Sequence, residues 1–479
     1  MKLLPGMSNY VWAKYRTRAE VQRLHTPVEE LAKKGISRRD LLKGAAIGGA
    51  GAIVASTATL AELNEGKAEG DPIPVGSALP FTGWGAHDAI EFRNGIEMAV
   101  EEINALGGVL GRPIEMHWED TKNQSADEVV TAFNRLIDSK EVHAIINGYN
   151  IGPNNAEYES VADAGILYLH HNTLLHHHDT VMSDPDRYFS CFQTDPAEWW
   201  YGAGYIQFIS WLRDTGQWKP RNNKLALVSG STPYSIVIVN AMHETAAEYG
   251  WEVAYGPEIV KTPTSEWGPT LAKVRAADPS AFANTHFPSQ EIAQCQNQFM
   301  QDPIDALTYY QFGAISAVFT DIAQENALGA TVATVIGQLQ DEIGTTFENK
   351  YRELYGENST PLVGCETYVS MYHWAMAAAL AGGTGEPGNY EQNRKVAYRL
   401  QNLIYRSVVG SVNMHPEWQA GIPYPDYTND PSLGQPHLFF QIQEVSPRRA
   451  LVAPEPYNTG HFMIPSWFKD NGGLPQIVA

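Results

Sequence analysis

The sequence predicts an α/β protein with two doubly wound, Rossmann-like lobes, and two patterns carry this prediction. Candidate strands and helices alternate four times between residues 73 and 172, and a second alternating run extends from 199 to 312. Strands separated by helices of this length form right-handed βαβ units, which assemble parallel sheets. The chain has 479 residues, which is long enough for two separate hydrophobic cores.

The first run begins with an apolar strand and a long amphipathic helix. Ile96, Ala99, Val100 and Ile103 recur at helical spacing, and Gly107 supplies the permissive backbone that ends a helix. The same alternation continues to the end of the run. We predict strands at 73–79, 113–119, 143–148 and 166–171, and helices at 86–105, 125–138 and 154–164.

The second run has the same character but begins with a helix. Two similar α/β runs in one chain indicate two doubly wound lobes. A later segment rich in Pro, Asp and Tyr, at 416–434, predicts an irregular surface loop. We predict the helices of the second run at 199–213, 235–249, 267–277 and 292–300, and its strands at 224–230, 251–260, 281–287 and 306–312.

The N-terminal segment has the pattern of an export signal. Arg38 and Arg39 lie just before a Gly/Ala-rich apolar run at 44–60, and a basic segment followed by a mild apolar run is typical of such signals. The paired arginines resemble the twin-arginine signal of bacteria, an address that is read by the export machinery. We therefore predict a twin-arginine signal peptide at 1–58, ending at the latest near residue 71, and a soluble periplasmic protein after its removal.

The charge of the chain is strongly negative. Its 33 Lys and Arg residues and 54 Asp and Glu residues give a net charge of −21. This balance argues against binding to nucleic acid or to an anionic membrane. Cys191, Cys295 and Cys365 are widely spaced, so at most one disulfide can form, and no metal-type cysteine spacing is present. Whether any two of them pair is left open by the sequence.

The unit from residue 73 to 119, in which a strand, a loop, a helix and Gly107–Gly108 lead into a second strand, resembles a known family. It is similar to the start of periplasmic solute-binding proteins that serve ABC importers of the branched-chain amino acid and amide type. The resemblance implies a type I periplasmic binding fold, in which two lobes joined by a three-segment hinge close over a small organic solute. It also implies delivery of that solute to a membrane permease, with no enzymatic activity and no cofactor. A sensing role stays open, because the same fold serves both purposes.

The resemblance also implies that the chain crosses between the lobes three times. The returning part of the first lobe would hold helices at 347–355, 368–380 and 395–405, and a strand at 437–442 would complete the second lobe. The expected divisions are 72–194 with 341–409 for the N-terminal lobe, 195–340 with 410–465 for the C-terminal lobe, and 466–479 for a tail.

Loops beyond the carboxyl ends of the strands are where open α/β sheets bind ligands, and the resemblance places the solute there. Four of the expected contacts are aromatic, which suits an amide, a urea-like compound or an aromatic acid, and also a cation held by aromatic faces. The expected solute-binding residues are Trp84, Tyr149, Asn150, Gly152, His171, Thr173, Tyr234, Phe287 and Gln311.

Five histidines between residues 170 and 178 follow the fourth strand of the first run. Imidazole is the commonest metal ligand, so a periplasmic metal-binding protein that uses His176 and His178 is an alternative. Family members place hydroxyl and backbone donors for the solute in this loop, which favours His171 and Thr173 as solute contacts. A merely polar loop is the third interpretation.

The chain departs from the amino-acid binders of this family at one important place. Those proteins have a glutamate for the ammonium group of the solute where this chain has Gln311 and Phe312. Burying an ammonium group without a carboxylate is costly, so standard branched-chain amino acids are poor candidates. An exported enzyme is a further alternative, but no dinucleotide-binding Gly-x-Gly-x-x-Gly motif follows the first strand, and the sequence has no nucleophile-elbow or P-loop motif.

Overall fold

Two β-sheets organise the chain in the computed structural model, which describes residues 68–150 and 154–478. The predicted signal peptide, with Arg38 and Arg39, and the predicted contact Gly152 lie outside the described residues. Within the described part of the chain, no helix combines the length and apolar character needed to cross a bilayer.

The first sheet is built from short, buried strands that alternate with helices. Its strands are β1 (Ile73–Leu79), β2 (Ile114–Asp120), β3 (Ala144–Ile146), β4 (Leu167–His170) and β5 (Cys191–Gln193). All neighbouring pairs are parallel, in the order β2-β1-β3-β4-β5. The intervening helices are α1 (Ala86–Ala105), α2 (Ala126–Asn134), α3 (Tyr158–Ala164) and α4 (Leu175–Ser183). A capping box between Ser125 and Glu128 fixes the start of α2.

The second sheet has seven strands and begins after a long connecting helix. The helices are α5 (Trp199–Asp214), α6 (Pro233–Ala246), α7 (Gly268–Ala277), α8 (Ser289–Phe299) and α9 (Ala317–Ala323). The strands are β6 (Lys224–Gly230), β7 (Glu252–Val260), β8 (Ala281–Asn284), β9 (Leu307–Tyr310) and β10 (Thr331–Thr334), with β15 (Leu438–Gln441) and β16 (Ala450–Ala453) from the C-terminal part. Their order is β16-β15-β10-β9-β8-β6-β7. The pairs β10–β15 and β15–β16 are antiparallel, and the other neighbouring pairs are parallel.

Three further helices return to the first sheet. They are α10 (Glu342–Tyr355), α11 (Pro361–Leu380) and α12 (Tyr390–Asn402), and small ladders follow at β11 (Tyr405–Ser407), β12 (Gly410–Val412), β13 (Pro423–Tyr424) and β14 (Gln435–Pro436). Helix α11 is buried over nearly its whole length and packs against α1, β3 and β4. A Cβ added at Gly95 of α1 would lie 1.9 Å from the carbonyl oxygen of Gly364 in α11, so these helices approach too closely for a side chain there.

Backbone hydrogen bonds join the chain segments that connect the lobes. The amide of Gln193 donates to the carbonyl of Gln419, and the amide of Gly421 donates back to the carbonyl of Gln193. The amide of Leu339 donates to the carbonyl of Val408. The connecting segments therefore run beside one another.

The α/β fold with two parallel-sheet lobes is confirmed, and β1, α1 and β6 begin and end where the sequence predicts them. Other expectations were wrong in detail. The histidine segment after β4 is not all loop, because α4 begins at Leu175. The helix expected to reach residue 405 ends at Asn402, since the chain turns to pair β11 with β12. The segment 416–434 is irregular but largely buried, because Trp418 packs edge-to-face on Tyr427 instead of facing solvent.

The three cysteines are all buried and none forms a disulfide. Burial raises the pKa of the Cys295 thiol to about 12, so it stays protonated at neutral pH. The stability of the fold therefore comes from packing and hydrogen bonds.

Candidate functional site

The carboxyl ends of the two sheets face a common, narrow cavity, whose empty space amounts to about 360 Å³ when the solvent-open part at its mouth is included. The first lobe lines it with Tyr149, His171, Asn172, Thr173 and Glu366. The second lobe lines it with Tyr201, Tyr234, Phe287 and Phe312, and Asp195 lies at the crossing that follows β5. Both lobes thus contribute to one site, as expected for a ligand at the strand ends.

Aromatic rings form one continuous wall that spans the lobes, which we call the aromatic wall. Trp84 stacks on Tyr149 with ring centroids 6.0 Å apart and meets Phe287 of the other lobe edge-on at 5.6 Å. Phe287 in turn meets Tyr234 at 5.6 Å, and Tyr234 meets Tyr201 at 6.2 Å. Trp84 is 46% exposed, so it covers the mouth while the other rings lie inside.

Hydrogen bonds behind the aromatic wall fix its tyrosines. The hydroxyl of Tyr149 donates to Asp88 Oδ2 at 2.5 Å. Gln311 Nε2 donates to the hydroxyl of Tyr234 at 2.9 Å, while Gln311 Oε1 accepts from Tyr309 at 2.7 Å. Gln311 therefore positions Tyr234 from behind and does not itself line the cavity.

Two buried carboxyl groups face one histidine at the bottom of the cavity. His171 Nδ1 lies 3.9 Å from Asp195 Oδ2 and 3.9 Å from Glu366 Oε2. Burial raises the pKa of Asp195 to about 8 and that of Glu366 well above its ordinary value, in Glu366 with a contribution from the charge of Asp195. Burial lowers the pKa of His171 to about 3, so its ring is neutral at physiological pH.

Two residues of the cavity have unusual backbone conformations. Thr173 has φ 56° and Phe312 has φ 41°, a region that residues other than glycine rarely occupy. The hydroxyl of Thr173 donates to Asp195 Oδ2 at 2.6 Å and contacts the carbonyl of His171 at 3.0 Å, which helps hold the conformation. Such strained positions cluster at binding sites.

Two of the clustered histidines serve the interior of the first lobe. The Nε2 of His177 lies 3.1 Å from the carbonyl oxygen of Gln419, so it carries the proton and donates. Its Nδ1 then accepts from the hydroxyl of Tyr158 at 2.5 Å, and Tyr158 accepts from His170 Nε2 at 2.5 Å. His170 Nδ1 accepts from the amide of Asn172 at 3.1 Å. Burial lowers the pKa of both histidines, so this bonding pattern with neutral rings is consistent throughout.

Tyr158→Phe is expected to lower the free energy of unfolding by about 2–4 kcal/mol, because it leaves two buried imidazole nitrogens without a partner. Urea unfolding of the purified protein measures this loss. Tyr398→Phe, which alters a 55% exposed tyrosine, is the control and should change the stability little. Equal unfolding midpoints for Tyr158→Phe and the parent would show that the histidine–tyrosine chain does not stabilise the lobe.

The remaining histidines of the cluster point in different directions. His176 is exposed, whereas His178 is buried and stacks on Trp418 with ring centroids 4.9 Å apart. Among the residues that the structure describes, no group of three or more His, Cys, Asp or Glu side chains is placed to hold a metal ion.

The structure brings together most of the residues that the sequence singled out. Tyr149, His171, Thr173, Tyr234 and Phe287 line the cavity, and Trp84 covers its mouth. Asn150 is fully buried behind the cavity, where its backbone N–H donates to Asn172 Oδ1 at 2.8 Å.

Sequence reasoning missed five of the residues that line the cavity, which are Asn172, Asp195, Tyr201, Phe312 and Glu366. Glu366 had the clearest signal, because it is the only carboxylate in a helix that carries no Lys or Arg, and buried carboxylates are rare without a special role. Tyr201 was hidden among the aromatic residues that begin α5. Asp195 lies in the crossing segment, which the sequence identified only as a boundary.

Comparisons with known proteins agree with this architecture. A family model described as periplasmic binding protein matches residues 72–423. A candidate branched-chain amino acid ABC transporter from Silicibacter pomeroyi is 46% identical, with a TM-score of 0.79, and the match covers 83% of this chain and 100% of that chain. No curated protein matches the chain.

Two more distant solved structures share the fold. The leucine binding protein LivK from Thermotoga maritima is 17% identical with a TM-score of 0.63, covering 80% of this chain and 98% of that chain. The LivJ protein from Streptococcus pneumoniae, in complex with isoleucine, is 18% identical with a TM-score of 0.62, and the match covers 80% of this chain and 100% of that chain. Since the family model spans well over half of the chain, the protein belongs to the periplasmic binding protein family and is a periplasmic solute-binding protein with the type I fold, not an enzyme.

Proposed function

We propose that the protein is the solute-binding component of an ABC importer of the branched-chain amino acid type, which captures a small organic solute and delivers it to a membrane permease. The cavity lined by both lobes is the observation that carries this proposal. A solute there touches both lobes only when they are closed, so binding would favour the closed form. The similarity to the Silicibacter pomeroyi protein supports a role in transport.

In this proposal the lobes comprise 72–194 with 341–409 and 195–340 with 410–465. The cavity and the aromatic wall suit an amide, a urea-like compound, an aromatic acid or an amino-acid-like solute. Trp84 closes the mouth, and the other rings hold the body of the solute. Gly152 is retained as a proposed backbone contact.

The test is to identify the bound compound. The mature protein is purified from the periplasm, the copurifying solute is identified by mass spectrometry, and its stoichiometry is measured by calorimetry. We expect one solute per chain and, by small-angle X-ray scattering, a smaller radius of gyration on binding. A protein that binds no member of a broad panel of amides, aromatic acids, amines and amino acids would contradict the proposal. Micromolar binding of free leucine would contradict the inference from Gln311 and Phe312.

We also propose that Arg38 and Arg39 direct export through the twin-arginine machinery. Replacing both with lysine is expected to reduce the periplasmic amount of protein at least tenfold, because the signal is read by a receptor that recognises the arginine pair. Arg16→Lys with Arg18→Lys, an arginine pair outside the motif, is the matched control. Cell fractionation and immunoblotting measure the periplasmic amount of each double variant. Normal periplasmic levels of the Arg38/Arg39 variant would contradict twin-arginine export.

A further inference from the structure

The wall of the cavity is acidic and aromatic. Asp195 and Glu366 line it, and Asp88 lies directly behind Tyr149. None of the described residues that line the cavity is a lysine or an arginine. Burial raises the pKa of both carboxyl groups, so near neutral pH they are largely protonated without a ligand. The cavity therefore offers a solute ring faces and carboxyl groups that can lose a proton, and no positive group.

Polar atoms without hydrogen-bond partners converge at the acidic end. Asp195 Oδ1 and His171 Nδ1 have no hydrogen-bond partner in the protein. Each of these two residues is only 1% exposed. The other carboxylate oxygen of Asp195 already accepts from Thr173. Buried polar atoms are almost always bonded, so this pair of atoms indicates where a polar group of a ligand belongs.

The charge pattern separates the candidate solute classes. A solute with a carboxylate would bury its negative charge beside two carboxyl groups without any compensating cation, which is unfavourable in a buried site. A cation gains from both carboxyl groups and from the faces of the surrounding rings. The unpartnered oxygen of Asp195 further requires a donor, which an N–H group supplies and a fully methylated ammonium group does not.

We propose that the solute is an organic cation that carries N–H groups, such as a protonated amine or an amidinium or guanidinium group. Its charged end lies between Asp195 and Glu366, beside His171, and its body packs on the aromatic wall. This inference rests on the proposed solute-binding function and narrows its solute class.

Cation binding should depend on pH. Without a cation, burial raises the pKa of Asp195 to about 8, so below that pH a bound cation has to displace a proton. Apparent affinity should therefore rise as the pH increases from 6 to 8, by up to about tenfold per unit for each proton released. Aliphatic amines remain charged to about pH 10. The titratable groups that face Asp195 are Glu366, His171, Glu198, Tyr201 and Tyr158.

The test compares compounds that share a skeleton and differ in charge. Calorimetry at pH 8 is run with isopentylamine, isovaleramide, isovalerate and leucine, and with benzylamine, benzamide and benzoate, on mature protein freed of its copurified solute. We expect each amine to bind at least tenfold more tightly than its amide and acid counterparts. Preference for an amide or an acid would overturn the inference and leave the solute-binding proposal standing. If none of these probes binds, the charge of the copurified solute tests the inference: a cationic solute supports it, and a neutral or anionic solute overturns it. The absence of any bound solute overturns both the inference and the solute-binding proposal.

Two variants locate the charge. Asp195→Asn and Glu366→Gln should each weaken amine binding at least tenfold and reduce its dependence on pH. Glu91→Gln is the matched control, because Glu91 is also a buried carboxyl group whose pKa is raised by burial, but it accepts from the hydroxyl of Tyr351 and does not line the cavity. It should change amine affinity less than twofold. If the two cavity variants fold poorly, the pH dependence of amine binding by the parent protein tests the inference instead. An amine affinity that does not rise between pH 6 and 8 contradicts the inference.

Discussion

Replacing Phe287 with alanine is expected to weaken binding of the copurified solute by about 10²–10³-fold. The ring is 7% exposed and is the member of the aromatic wall that touches Trp84 of the other lobe. Its removal deletes solute contact worth about 1.5–3 kcal/mol and aromatic pairs worth about 0.5–1.5 kcal/mol each. Because the pair with Trp84 joins the lobes, the closed form loses stability as well. Isothermal titration calorimetry gives the change in Kd directly.

The control for this prediction is Phe462→Ala. Phe462 is also buried, at 4% exposure, and packs in the core of the second lobe, but it does not line the cavity. We expect it to lower the stability of the protein and to leave the Kd within about twofold. Equal effects of the two variants on the Kd would show that Phe287 acts through general stability and not through the site.

Gly95→Ala is expected to lower the free energy of unfolding by about 3 kcal/mol or more, or to prevent folding. The added Cβ would lie 1.9 Å from the carbonyl oxygen of Gly364 and 2.7 Å from Thr367 Oγ1. The first of these atoms is backbone, so two 20-residue helices, α1 and α11, would have to move apart. Chemical unfolding or the yield of folded protein measures the effect.

Gly268→Ala is the matched control for the substitution at Gly95. Gly268 begins α7, and a Cβ there would meet no atom within 4 Å. This variant should be neutral or slightly more stable, since alanine restricts the unfolded chain more than glycine does. If Gly95→Ala unfolded at the same denaturant concentration as Gly268→Ala, the close contact of α1 with α11 would not be needed for the fold.

The parts of the fold that sequence could predict are those with strong local patterns. The amphipathic helix α1 and the apolar strands β1 and β6 are fixed by periodicity within a few residues of chain, and their limits agree with the prediction. The strands β8 and β9 end earlier than predicted, at Asn284 and Tyr310, because the residues that follow turn into the cavity. Short strands such as β5 depend on long-range pairing, which a local pattern does not reveal.

The site was predictable where it lies in loops at strand ends and not where it depends on packing. Trp84, Tyr149, Tyr234 and Phe287 follow strands, so the rule for open sheets places them together. Glu366 reaches the cavity from the second turn of α11, more than 150 residues away along the chain from Asp195. Nothing local relates these two carboxyl groups, and their proximity appears only when α11 packs on the first sheet.

The crystal structure of the periplasmic protein with its copurified solute tests the central claim most directly. The account predicts electron density for one solute enclosed between Tyr149 of the first lobe and Tyr234 of the second, in contact with side chains of both. A solute held on the outer surface of one lobe, with the cavity between the lobes filled only by protein and water, would contradict it.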